Sequence, residues 1–185
     1  MIEVEVKLPI HRRRTIEKGL LALGFKPGFL IRESDLYFNG GGHDFMRSDE
    51  ALRIRESENL STASSSAFLT YKGPKLDAVS STRKELETKL ENADAGRQIL
   101  SALGYQSLAP VEKLRQYYHR EDMTACVDQV EHLGSFLELE ILVEDESQRE
   151  HALKKIEALL LDLDCRMEDT TRYSYLFMLQ HHPTC

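Results

Sequence analysis

The feature that most constrains this chain is a set of strand-like segments with charged residues two positions apart. Successive side chains of a strand point to opposite faces, so residues two apart share a face. Five segments place two or three charges on one face and apolar residues on the other. These charged sets are Glu3/Glu5/Lys7, Arg53/Arg55, Arg83/Glu85/Glu87, Lys113/Arg115 and Glu138/Glu140. The chain is therefore expected to form a mostly antiparallel sheet with one charged face.

The other local patterns predict about eight strands and three or four helices. Helices are predicted at 11–23, 94–103, 148–161 and 171–179, with Gly24 and Gly104 ending the first two. A short strand is predicted around 35–38, and Gly73-Pro74 is expected to break another strand. The polar, serine-rich segment 59–66 predicts a mobile hairpin loop, part of a longer loop at 56–67 whose role the sequence leaves open.

Two arrangements of the charged face are compatible with this periodicity. A helix-covered open sheet would turn the charges to water. A closed barrel would turn them inward and pack the apolar face under the helices (Val4, Val6, Leu52, Ile54, Leu137, Leu139 and Ile141). The charges are sorted by segment, with acids on the first and last strands and bases mainly in the middle, which favours an inward site over a mixed surface.

Such a lining has a definite chemistry. Clustered carboxylates suit hard divalent cations, and clustered Arg and Lys side chains suit phosphates. Both together suit a metal-bound polyphosphate. The phosphate-binding motifs G-x-x-x-x-G-K-[ST] and G-x-G-x-x-G do not occur in the sequence.

Composition and charge exclude several classes of protein. Asp and Glu number 31 against 24 Lys and Arg, a net charge of -7, which argues against a general nucleic-acid binder. No apolar run approaches the length of a membrane span, so no membrane partner is expected. Three cysteines without a Cys-x-x-Cys pair fit a reducing cytoplasm. The oligomeric state stays open, with a homodimer as one candidate.

These segments together resemble one family. Glu3-Val4-Glu5-Val6-Lys7 resembles the E-x-E-x-K signature of the CYTH proteins, or triphosphate tunnel metalloenzymes. Further segments resemble that family's strands in the same order: Leu52–Glu56, Thr70–Pro74, Arg83–Glu87, Lys113–Arg115, and Asp128 followed by Leu133–Glu140. The resemblance implies an α+β fold with a closed eight-stranded antiparallel β-barrel, a tunnel open at both ends and helices packed outside. It also implies one domain over residues 1–180 and a tail at 181–185.

The resemblance implies roles for particular residues. Mg2+ or Mn2+ would be bound by Glu3, Glu5, Asp128, Glu138 and Glu140. The triphosphate of ATP or a related small molecule would be bound by Lys7, Arg53, Arg55, Lys72, Arg83, Lys113 and Arg115. Lys72 and Lys113 are candidate catalytic bases, because clustered positive charge can lower a lysine pKa. Glu85 would face the organic part of the substrate.

The function implied is that of an enzyme acting on a triphosphate. The spelling of Asp35–Phe38, Asp49–Arg53 and Tyr71–Pro74 is similar to class IV adenylyl cyclase-like members, which implies conversion of ATP to cyclic AMP and pyrophosphate. The alternative is a triphosphatase that hydrolyses inorganic, nucleoside or thiamine triphosphate. A non-catalytic protein that binds triphosphate or polyphosphate is a third reading.

Overall fold

The computed structural model describes residues 2–76 and 80–181. Its strands are β1 (Ile2–Pro9), β2 (Lys26–Gly40), β3 (Ala51–Asn59), β4 (Ser64–Lys75), β5 (Arg83–Leu90), β6 (Tyr105–Ser107), β7 (Val111–Arg120), β8 (Met123–Val130) and β9 (Gly134–Val143). Its helices are α1 (Arg13–Ala22), α2 (Ala93–Ala102), α3 (Arg149–Asp162) and α4 (Tyr175–His181).

Eight of the strands close into an antiparallel barrel. Around the ring the order is β1-β5-β4-β3-β2-β7-β8-β9 and back to β1, and the short β6 pairs with β2 outside the ring. The closed eight-stranded barrel with external helices is thus confirmed. The β1–β5 seam is short, with only Ile2↔Lys84 and Glu3↔Arg83 in register. Beyond it, the backbone N–H groups of Ser81 and Thr171 donate to the carbonyls of Glu5 and Lys7.

The hydrophobic core lies outside the barrel wall. Val4, Val6, Leu137, Leu139 and Ile141 pack under α1 and α3, whose core residues recur with helical spacing (Ile16, Leu20, Ala152, Ile156, Leu159 and Leu160). A second cluster places α2 over Ile54, with Leu52 at its edge. Because the apolar face is taken up by helices, the charged face points inward, and the open-sheet alternative is excluded.

Helix α4 packs against one end of the barrel. Tyr175 and Leu176 contact Val111, Val130 and Phe136, which lie at the adjoining ends of β7, β8 and β9. The resemblance implies that the barrel is open at this end. In the structure, α4 packs there against the ends of three strands. Helix α4 includes His181, and the rest of the predicted tail, 182–185, lies outside the described residues.

Several local predictions need correction. Half of the predicted loop at 59–66 is paired strand, because Ser57↔Ser66, Glu58↔Ser65 and Asn59↔Ser64 continue the ladder and leave 60–63 as the turn. A backbone ladder needs no apolar side chains, so serine content misled the prediction. Gly73-Pro74 does not end β4, since a shift in register between Lys72 and Lys75 accommodates it.

The predicted ends of α1 and α2 agree with the structure, whereas the predicted length of β2 does not. Gly24 and Gly104 follow α1 and α2 with φ of 86° and 91°, values that favour glycine and confirm them as helix stops. Strand β2, predicted as a short segment, runs for 15 residues. None of the described helices is long and apolar enough to cross a membrane.

The external core predicts a contrast between two residues of α3. Ile156 is fully buried against β1 and β9, whereas Leu161 is 63% exposed. Ile156→Ala should lower the free energy of unfolding by about 2–4 kcal/mol, because it leaves a cavity in the core. Leu161→Ala should change it by less than about 0.5 kcal/mol. Urea unfolding of both variants checks this, and equal losses would contradict a core between α3 and the barrel.

Candidate active site

One cavity of about 660 Å³ occupies the barrel interior. Twelve predicted site residues from six strands line it, because each lies at an inward position of its strand. They are Glu3, Glu5, Lys7, Arg53, Arg55, Lys72, Arg83, Glu85, Lys113, Arg115 and the Glu138/Glu140 pair of β9. Asp128 is fully buried behind this lining and does not reach the cavity surface.

The lining is rich in charge and evenly balanced. Among the described residues it includes nine Lys or Arg side chains and nine Asp or Glu side chains. An anion alone would compete with the acids for the bases, and a cation alone would compete with the bases for the acids. The balance therefore suits a ligand that brings both charges, such as a metal-bound polyanion.

Three carboxylates converge at one side of the cavity. One oxygen each from Glu3, Glu5 and Glu140 lies within 4.8 Å of the others. Glu3 and Glu5 project from the same face of β1, and the adjacent β9 contributes Glu140 opposite Glu5. An all-oxygen donor set of this kind fits Mg2+ or Mn2+.

Two carboxyl groups of this cluster, those of Glu3 and Glu140, have raised pKa values. Burial, with smaller repulsions from Glu85 and Glu5, raises the pKa of Glu3 from 4.5 to about 7 despite the attraction of Lys72. Burial and repulsion by Glu3 raise the pKa of Glu140 well above its usual value. A divalent cation between these oxygens would reverse the effect and keep both groups ionised.

Glu138 takes a different role from its neighbour. Glu138 forms an ion pair with Lys7 at 3.2 Å and accepts a short hydrogen bond from Arg115. Burial acts to raise the pKa of Glu138, but Arg115 and Lys7 outweigh it and hold the pKa well below the usual value. Burial likewise acts to lower the pKa of Lys7, and Glu138 and Glu5 raise it instead. Both groups therefore stay charged.

Asp128 fixes the orientation of Arg115. The guanidinium donates two hydrogen bonds to the carboxylate, from Nε at 2.8 Å and from Nη2 at 2.6 Å. The Tyr175 hydroxyl donates a third at 2.9 Å. With these partners, the structure does not bring Asp128 into the three-carboxylate cluster.

A second acidic pair, which the sequence reasoning missed, holds the middle cations. Asp35 accepts two hydrogen bonds from Arg55, at 2.6 and 2.8 Å, and one from Lys113 at 2.7 Å. Glu33 pairs with Lys113 at 3.0 Å and Arg55 at 3.3 Å. Arg55 and Lys113 outweigh the effect of burial, lowering the pKa of Glu33 to about 2 and that of Asp35 well below its usual value. The period-two pattern Glu33-x-Asp35-x-Tyr37 would have revealed them had β2 been assigned its full length.

Arg53 differs from the neighbouring cations because one nitrogen of its guanidinium group has no hydrogen-bond partner among the described residues. Its side chain is nearly buried and lies 3.5 Å from Asp35 through Nη1. Its Nε atom is buried and has no hydrogen-bond partner among the described residues. A buried unpaired donor on a cavity wall is a position for a ligand oxygen.

Lys72 does not have the lowered pKa expected of a catalytic base. It forms a close ion pair with Glu85 and lies 4.0 Å from Glu3. Burial acts to lower the pKa of Lys72, but the attraction of Glu3 and Glu85 outweighs it and raises the pKa. Glu85, predicted to face the organic part of the substrate, is therefore occupied with Lys72.

Arg83 lies at the rim of the cavity with two other groups. Its guanidinium donates to the backbone oxygen of Asp49 at 3.2 Å, and Lys75 forms a close ion pair with the Asp49 carboxylate. Arg172, which precedes α4, lines the same rim. The rim is therefore locally basic.

Comparison with known proteins places this geometry in context. The CYTH domain model matches residues 1–175. A Methanocaldococcus jannaschii protein named "Putative adenylate cyclase MJ0240" is 40% identical over 178 residues, which cover 95% of this chain and 97% of that protein.

Solved structures agree in fold. The PH1819 protein of Pyrococcus horikoshii superposes with a TM-score of 0.89 at 33% identity, covering 98% of this chain and 99% of that one. A Hippeastrum protein described as having a dominant triphosphatase activity superposes at 0.65 with 15% identity, covering 100% and 97% of the two chains.

The raised pKa of Glu3 predicts a pH-dependent stability in metal-free protein. Between the unfolded value of 4.5 and the folded value of about 7, the folded state keeps a proton that the unfolded chain releases. Stability should therefore fall as pH rises from about 5 to 8, by an amount on the order of 2 kcal/mol for this group. Mn2+ should restore stability at the higher pH.

Denaturant unfolding at both pH values, with and without Mn2+, measures this effect. Glu3→Gln supplies the control, since it cannot ionise and should make the fall with pH shallower. An unchanged slope in that variant would contradict the assignment to Glu3.

Proposed function

This chain belongs to the CYTH domain family, and from that premise we propose that it is a metal-dependent enzyme acting on a triphosphate inside the barrel. The observation that carries the proposal is the sorting of charge within one cavity. Three carboxylates converge in a cavity that Lys and Arg side chains also line, and one of these cations has a buried donor with no hydrogen-bond partner among the described residues.

The basic residues would bind the phosphates. Arg53 offers its unpaired Nε, and Arg55, Lys113 and Arg115 are already oriented by Asp35, Glu33 and Asp128. Preoriented donors need no rearrangement as negative charge shifts between phosphate oxygens in the transition state, which is how such groups lower a barrier. We assign Lys72 and Lys113 this charge-stabilising role in catalysis, because Lys72 stays protonated and Lys113 is held by two carboxylates.

Glu3, Glu5 and Glu140 would hold the divalent cation, with Glu138 beside them on β9. A bound Mg2+ or Mn2+ would supply positive charge against the phosphate oxygens. Asp128 supports the proposal as the positioning partner of Arg115, and it keeps the guanidinium aimed at the cavity.

The reaction we favour is that of an adenylyl cyclase. The ribose 3′-oxygen would bond to the α-phosphorus, the bond from that phosphorus to the bridging oxygen would break, and pyrophosphate would leave as the hydroxyl proton is released. The 40% identical relative, which carries the name "Putative adenylate cyclase MJ0240", supports this choice.

Hydrolysis of a triphosphate is the second candidate. The strand residues that line the cavity are charged or tyrosine, with Ala51 and Leu142 the apolar members in the described chain. This wall favours phosphate and metal over a purine ring, and so admits a substrate with no base.

Product analysis tests the proposal directly. The purified protein is incubated with ATP and Mg2+ or Mn2+, and the products are separated by ion-exchange chromatography. Cyclic AMP with pyrophosphate supports the cyclase, whereas ADP with orthophosphate supports the hydrolase and leads to inorganic and thiamine triphosphate as substrates. Glu140→Gln should abolish the metal-dependent turnover. Binding of ATP without turnover would indicate a non-catalytic triphosphate-binding protein, and absence of binding would overturn the proposal.

Removal of Arg53 predicts a specific loss of ligand affinity. Arg53→Ala should weaken binding of inorganic triphosphate about tenfold or more, because hydrogen bonds to charged groups contribute about 1.5–3 kcal/mol. Folding should persist, since Asp35 keeps Arg55 and Lys113 as partners. Isothermal titration calorimetry measures the affinity.

Arg32→Ala is the matched control for this variant. Arg32 lies on neighbouring β2, pairs with Glu58 at the surface and does not line the barrel cavity. Equal affinity in the Arg53 variant and in this control would exclude Arg53 from the phosphate site.

A further inference from the structure

Three aromatic side chains stack along one face of the C-terminal helix and the turn before it. Tyr173, Phe177 and His181 recur every four residues, which aligns them on one side. The Tyr173 and Phe177 ring centroids are 4.5 Å apart with planes 9° from parallel, and those of Phe177 and His181 are 4.0 Å apart at 20°. The opposite side, with Tyr175 and Leu176, packs against the barrel.

This stack borders the charged cavity and is open to solvent. Tyr173 and Phe177 both line the cavity, and Tyr173 is 59% exposed. The other lining aromatics in the described chain, Tyr37, Tyr117 and Tyr175, are half-buried or buried. One face of the Tyr173 ring is covered by Phe177, and the residue as a whole remains open to solvent.

The stack is held in place from inside the barrel. Tyr175, two residues after Tyr173, donates from its hydroxyl to Asp128 at 2.9 Å and packs edge-on against Phe136 with centroids 5.0 Å apart. Arg172 donates from Nε to the backbone oxygen of Ser80 at 3.1 Å. Tyr173 thus lies between two anchored residues, and its position relative to the cavity is fixed.

We propose that Tyr173 and Phe177 form a stacking platform for the planar organic ring of the substrate, with the triphosphate held inside the barrel. This inference rests on the proposed function and adds the residues that would bind the ring of a substrate such as a nucleoside triphosphate, a part that inorganic triphosphate lacks. A π-face accepts any flat ring, so the platform contributes affinity without reading the identity of a base.

The platform lies where the aromatic end of such a substrate is expected when its anionic end is bound in the barrel. Lys75, Arg83 and Arg172 line the same cavity as the inner cations, and Lys75 and Arg83 share the carboxylate of Asp49. A polyanion bound along the interior and rim would leave its organic end at the mouth, where the accessible ring of Tyr173 lies.

The test compares two probes that differ by the ring. Titration calorimetry measures ATP and inorganic triphosphate in EDTA, where no metal-dependent turnover consumes either probe. Tyr173→Ser should weaken ATP binding about tenfold, the effect of losing one base–aromatic stack, and should leave inorganic triphosphate unchanged. Tyr173→Phe, which keeps the ring, should bind ATP as the wild type does. With Mn2+ present, KM for ATP consumption should show the same split.

Phe29→Ser is the matched control, since Phe29 is an aromatic residue that is 57% exposed and lies away from the cavity. It should leave both affinities unchanged. Equal weakening of both probes in Tyr173→Ser, or no weakening of either, overturns the platform and leaves the proposed function standing. Wild-type protein that binds neither probe, with or without Mn2+, overturns the proposed function and the platform together.

Discussion

The structure depends on keeping buried charges paired. A charged group moved from water into a protein interior loses several kcal/mol of hydration, and only close partners with good geometry offset the loss. This barrel encloses many such groups, and each buried cation in it has a carboxylate within reach. Asp35 and Glu33 pair with Arg55 and Lys113. Asp128 and Glu138 pair with Arg115. Without them, the cations would repel one another, and the barrel would be strained toward opening.

The same pairing explains why the acids divide into two kinds. Carboxylates among the cations have lowered pKa values and act as internal counter-ions, as Asp35 and Glu138 do. Carboxylates at which burial and repulsion from other acids outweigh the nearby cations have raised pKa values, as Glu3 and Glu140 do. The division lies between neighbours on a single strand, since Glu138 and Glu140 are two residues apart on β9. A single fold thus provides both a scaffold of ion pairs and a site that is short of positive charge.

Much of this could be predicted from the sequence, and the failures have physical causes. Residues two apart on a strand must share a face, so the membership of the lining was readable from Glu3, Arg53, Lys113 and their partners. Periodicity is blind to which face is buried, so the inward orientation became certain only from the packing of α1 and α3. Glu33 was missed because β2 was predicted as a short strand around 35–38, and without Glu33 the period-two charge pattern that includes Asp35 was not visible. The raised pKa of Lys72 follows from neighbours on other strands, which no local pattern contains.

The short seam between β1 and β5 has a consequence for the order in which the chain is completed. Strand β1 precedes every other strand, yet the backbone carbonyl of Lys7 receives its hydrogen bond from Thr171, which follows the last strand, β9. The ring of strands needs only residues 2–143, but this position beside the seam is covered only once residue 171 has been made. Covering the gap beside β1 is therefore a later step than pairing of the strands, and it belongs to the segment that also leads into α4.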